Sequence, residues 1–141
     1  MSRALVLFED SRWADLRPLT DTLPTPALAF GASTLGERWR RRLGLPLIAV
    51  EARAAALEAW RERPAPALPP GANDEVLVAN ATAIPGPWLA AVNAGRAPAI
   101  WLAHDRIVAA RLPFSMVAPG LGRGADFERF LLSLALPSFG A

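Results

Sequence analysis

The chain has no cysteine, no tyrosine and a single histidine, and all fifteen of its basic residues are arginine. Without cysteine there can be no disulfide, no thiolate chemistry and no cysteine-bearing metal site, which fits a reducing cytoplasm. One histidine argues against a conventional zinc centre. Long apolar runs are also missing: nothing approaches the ~20 residues of a membrane-spanning helix. The opening run Ala4-Leu5-Val6-Leu7-Phe8 meets Glu9 and Asp10 too soon for a signal peptide. A cytoplasmic location and no membrane partner are therefore expected. The lack of lysine and tyrosine also explains the pI near 10.9, because nothing titrates between histidine and arginine and a net charge of only +2 persists over several pH units. Acids interleave with the arginines, and the one dense basic cluster, Arg38, Arg40, Arg41 and Arg42, falls mostly in the last turns of a helix, where cations suit the dipole. No nucleic-acid partner is expected.

With 141 residues, 52% of them apolar, the chain can bury one substantial core, and we read residues 1–141 as one domain. Residues 3–8 form a continuous apolar run of the kind buried on both faces of a parallel sheet. A polar, proline-studded loop follows to about Ser33. Thr34-Leu35-Gly36-Glu37 is a capping box, and Leu35, Trp39 and Leu43 continue it as an amphipathic helix that stops at Gly44. The spacing then predicts a strand over 45–50, a helix over 52–63, a proline-rich surface loop over 64–73 and a strand over 75–79. A short helix opens at Gly86-Pro87 and closes at Gly95. His104-Asp105 turns a hairpin between 99–103 and 106–112, and 113–141 is an irregular segment with a terminal helix over 126–135. The expected fold is α/β: three-layer and Rossmann-like, with a mostly parallel sheet and one hairpin. Its ligands belong beyond the carboxyl ends of the strands.

Pro18-Leu19-Thr20-Asp21-Thr22-Leu23-Pro24, placed just after the first strand, resembles the P-L-T-x-x-x-P segment of the sugar nucleotidyltransferases. A longer pattern resembles one branch of that superfamily, whose first domain is similar to bacterial N-acetylglucosamine-1-phosphate uridyltransferase. Its carriers are Leu7-Phe8-Glu9-Asp10, Leu16 to Pro24, Ser33 to Trp39 running to Leu43-Gly44, Val76 to Ala81, and Arg106 to Leu112. The resemblance implies a nucleotide-diphospho-sugar-transferase fold and attack of a sugar 1-phosphate on a nucleoside triphosphate, with magnesium as cofactor if the domain is active. It also implies a β-helix acyltransferase domain as a partner, since the branch continues into a hexapeptide repeat.

Several departures point to degenerate catalysis. Ser11, Trp13 and Asp15 stand where the family has its glycines and arginine, Thr25 where it has the lysine, and Thr82 where it has the magnesium aspartate. Leu23 and Ala29 replace two further arginines. The candidate nucleotide- or sugar-binding residues are Glu9, Asp10, Arg12, Arg17, Thr20, Thr22 and Asn80; no metal ligands are assigned. Arg17 either offers a bidentate guanidinium to phosphate or pairs with Asp15 or Asp21. Thr20 and Thr22 either line a pocket or cap the turn, Glu9-Asp10 either faces a ligand or solvent, and Asn80 either contacts a ligand or its own backbone. Gly120-Leu-Gly-Arg-Gly124 has the look of a phosphate loop, but no strand precedes it immediately. The competing reading is a noncatalytic domain that senses a sugar nucleotide, docks on an acyltransferase or forms a homo-oligomer.

Overall fold

The computed structural model describes residues 2–141. Strand β1 (Ser2–Phe8) is the second strand of a six-stranded sheet, with a neighbour on each side. Its alternate side chains feed two cores: Ala4, Val6 and Phe8 enter one, Leu5 and Leu7 the other. Burial on both faces is what its unbroken apolar run requires.

The expected loop to Ser33 carries a small antiparallel hairpin, β2 (Ala29–Phe30) and β3 (Ser33–Thr34). Helix α1 (Leu35–Leu43) starts as its sequence says. The Thr34 hydroxyl accepts from the Glu37 amide at 3.1 Å, and Glu37 Oε1 accepts from the Thr34 amide at 3.1 Å. Gly44, at φ 63°, ends it in a left-handed conformation. Strand β4 (Leu47–Glu51) runs parallel to β1.

Helix α2 covers only Ala54–Ala59, shorter than expected. Arg53 is held outside the helical region (φ −52°, ψ 130°) with its amide turned to Glu9, and Trp60 leaves the helix to pack on the second core. Residues 64–73 form no regular element, although the Ala67 amide donates to the Leu47 carbonyl at 2.8 Å.

Strand β5 (Glu75–Asn80) is parallel to β1 on its other side, and helix α3 spans Leu89–Ala94. Gly95 at its end has φ −73°, so glycine is needed there for space: a Cβ would lie 2.4 Å from the Trp101 ring. Strands β6 (Ala99–Ala103) and β7 (Arg106–Pro113) form the expected hairpin, with His104 and Asp105 both at positive φ, 50° and 63°.

Residues 113–141 hold more structure than their sequence signals. Helix α4 (Phe114–Val117) precedes α5 (Phe127–Ser133), and a last strand, β8 (Ser138–Gly140), joins β6 in parallel. The sheet order is β4-β1-β5-β7-β6-β8, an α/β arrangement with a mostly parallel sheet. Phe127, Phe130 and Leu131 of α5 cover the first core, while Trp39 of α1 and Leu89 and Val92 of α3 cover the second.

Candidate functional site

The carboxyl ends of β1, β4 and β5 lie side by side, and each delivers a buried polar residue: Glu9 and Asp10, Glu51, and Asn80. The Glu9 amide donates to the Glu51 carbonyl, and the Ala81 amide to the Phe8 carbonyl, both at 2.9 Å. Parallel pairing thus continues one residue past the strands and fixes where these side chains start.

Glu9 meets a complete set of donors. Oε1 accepts from the Thr25 amide and hydroxyl, both at 2.9 Å, and from Arg53 Nη2 at 3.0 Å; Oε2 accepts from Arg53 Nε at 2.9 Å. Burial pushes this carboxyl up, but the bonds from Arg53 and Thr25 outweigh it and hold Glu9 below the ordinary carboxylate range. The same guanidinium donates to the carbonyls of Thr20 (2.8 Å) and Leu23 (3.0 Å), and lies 3.8 Å from the Trp13 ring centroid. Arg53 therefore pins the 11–25 loop across the strand ends.

Asp10 anchors a second lattice. Oδ1 accepts from the Arg12 amide at 3.1 Å; Oδ2 accepts from Asn80 Nδ2 at 2.9 Å and from Arg106 Nε and Nη2 at 2.9 and 2.6 Å. Asn80 also donates to the Ile107 carbonyl and accepts from the Thr82 amide and hydroxyl, and that hydroxyl accepts from Arg106 Nη2 at 3.2 Å. Asp10 is 1% exposed in its side chain, whereas Arg106 is 31% exposed. The buried acid fixes the orientation of a cation that still reaches solvent.

Glu51 is compensated differently. It accepts from the amides of Gly122 at 2.6 Å and Gly124 at 3.3 Å and is 5% exposed. Gly122 (φ 91°), Arg123 (φ −76°) and Gly124 (φ 58°) alternate in backbone hand, which turns successive amides to one point as an anion nest. A Cβ at Gly124 would also lie 2.8 Å from the Ala52 carbonyl. The loop that resembled a phosphate loop holds the protein's own carboxylate. Burial is the larger influence and pushes Glu51 above the ordinary carboxylate range despite these amides.

Of the seven residues singled out in the sequence, the structure brings Glu9, Asp10, Thr20 and Asn80 into these buried lattices. The Thr20 hydroxyl donates to the Trp13 carbonyl at 2.8 Å, so it closes the loop. Arg12 pairs with Asp15 (3.2 Å) and Arg17 with Asp21 (2.7 Å), both on the surface, and Thr22 is exposed. The cations at the strand ends are instead Arg53 and Arg106. The available signal was position: one lies two residues past the end of β4, the other begins β7 directly after the hairpin.

Comparison with curated proteins and with solved structures returned no match. A family model described as Sugar nucleotidyl transferase matches residues 5–117, a span that contains the carboxyl end of β1, the pinned loop, Arg53, Asn80 and Arg106. The chain belongs to the sugar nucleotidyl transferase family.

Proposed function

We propose that the carboxyl edge binds a phosphate-bearing sugar or sugar nucleotide through Arg106 and does not catalyse nucleotidyl transfer. The observation that carries this reading is the state of Arg106. Nε and Nη2 are fixed on Asp10 and Thr82, and among the described residues Nη1 makes no hydrogen bond. A guanidinium held in place by a buried acid is already oriented for an anion, which lowers the entropy lost on binding.

Degenerate catalysis is supported by how fully the acids are used. Glu9 and Asp10 face guanidinium groups and Glu51 faces backbone amides. The magnesium that this family implies does not fit: a divalent cation here would have to displace Arg106 from Asp10, and Thr82 offers only a neutral hydroxyl already committed to Asn80 at 2.6 Å. The pinned 11–25 loop supplies no glycine cradle for a triphosphate.

A thermal-shift panel of nucleotide sugars, sugar 1-phosphates and nucleoside triphosphates, each with and without magnesium, tests binding. Ligand at 100 times its Kd should add about 2.7 kcal/mol of stability. Unmoved unfolding curves throughout would defeat the binding half, and pyrophosphate release from a triphosphate plus a sugar 1-phosphate would defeat the noncatalytic half.

A second reading, an interaction domain for a β-helix acyltransferase or another copy of the chain, is favoured by the β8 side of the sheet, where Phe139 and Leu132 are 48% and 57% exposed. Light scattering across a concentration series, alone and with such an acyltransferase domain, tests it; a monomer that binds neither would contradict it.

A further inference from the structure

A cavity of about 250 Å³, which shares no lining residue with the buried lattices of the carboxyl edge, lies between α1 and the 60–64 segment that follows α2. Leu7 and Leu47 line its floor and Trp60 its wall; Glu37, Arg40 and Glu62 line its rim. Glu37 is already engaged, with Oε1 in the capping box and Oε2 3.7 Å from Arg41. Among the described residues, the side chains of Arg40 and Glu62 make no short ion pair or hydrogen bond and the Trp60 indole N–H has no acceptor, while Arg40 acts on Glu37 only through space. The cavity thus combines an apolar floor, an aromatic wall and two charges of opposite sign, Arg40 and Glu62, whose side chains make no short polar contact. Drug-sized ligand sites occupy ~300–1,000 Å³, so this one suits something more compact than a nucleotide.

We infer that this cavity is a second small-molecule site, for a compact zwitterion: an anionic group on Arg40, an ammonium group on Glu62 beside Trp60, and a ring or apolar body over Leu7 and Leu47. A guanidinium offers phosphate or carboxylate two parallel donors, and an ammonium is attracted both to a carboxylate and to an indole face. With Glu37 held by its capping box and by Arg41, a ligand with only an anionic group would leave Glu62 unpaired, and one with only an ammonium group would leave Arg40 without a short contact. Nothing in the proposed use of Arg106 requires this site.

Saturation-transfer NMR and calorimetry with two zwitterions, glucosamine 6-phosphate and phenylalanine, test the inference, and the pair separates an amino-sugar phosphate from an amino acid. At least one should bind. Removing one ligand charge, with glucosamine or glucose 6-phosphate in the first case and phenethylamine or phenylpropionate in the second, should weaken binding at least fivefold. Arg40→Ala should abolish the preference for the anionic group and Glu62→Gln the preference for the amine; both positions are exposed, so folding is checked simply by an unchanged circular dichroism spectrum. Arg106→Ala, shown to be folded by the same spectrum, should leave this binding unchanged. The inference is overturned if neither zwitterion binds, if binding ignores both rim variants, or if it disappears with Arg106→Ala, which would move the ligand to the carboxyl edge.

Discussion

Glu9 and Glu51 stand side by side at one edge of the sheet, joined by a backbone hydrogen bond, and are compensated in opposite ways. Glu9 meets a guanidinium, a hydroxyl and two amides, and stays ionised below the usual range. Glu51 takes its hydrogen bonds from backbone amides, with Arg63 acting only through space, and burial pushes it upward. Amide dipoles can orient a carboxylate, but they do not cancel its charge as a cation does. The contrast explains why one acid can organise a loop of fifteen residues while the other only secures a turn. Arg53, held on Glu9, reaches the Thr20 and Leu23 carbonyls and the Trp13 ring.

The largest expected break comes from Arg53→Ala. It would leave Glu9 buried without its cation and release the 11–25 loop, at a cost of about 3–5 kcal/mol in denaturant unfolding. Adding Glu9→Gln should recover part of that loss, since the uncompensated charge goes too. Glu51 separates its shape from its charge. Glu51→Ala strands the nest amides and should cost about 1–3 kcal/mol, whereas Glu51→Gln keeps an acceptor oxygen and should cost clearly less at neutral pH.

A pH series sharpens the contrast further. Glu9 has a lowered folded pKa, so its contribution is complete above the ordinary glutamate value of about 4.3 and is lost as pH falls through the lower folded value. Glu51 has a raised folded pKa, so its contribution is present below that ordinary value and is lost as pH rises through the raised one. Wild type should therefore lose stability relative to Glu51→Gln as pH climbs from about 4. Unfolding midpoints across pH 3 to 8 would show this, and parallel curves would contradict the assignment. The smallest effect belongs to Arg17→Ala, whose exposed pair with Asp21 should be worth under about 0.5 kcal/mol.

Much of the fold was legible because its signals are local. The capping box at Thr34 and Glu37, the turn at His104-Asp105 and the doubly buried run of β1 each lie within a few consecutive residues. Strand β8 was not legible, since three exposed residues carry no periodic pattern. At the site, Glu9, Asp10 and Asn80 were visible as polar residues closing apolar strands, a position that an open α/β sheet makes special. Their cations were not visible, because Arg53 lies 44 residues from Glu9 and Arg106 lies 96 residues from Asp10. Arg12 and Arg17 drew attention by being close in sequence to the P-L-T segment, and nearby acids had already claimed them. The 120–124 glycines carried a true anion-loop signal, but the anion was an internal carboxylate supplied by β4.

Calorimetric titration of a nucleotide sugar into wild type and Arg106→Ala, with and without magnesium, tests the account most directly. We predict at least tenfold weaker binding in the variant and the same affinity with or without the metal. Equal affinity in the two proteins, or binding that requires magnesium, would contradict it.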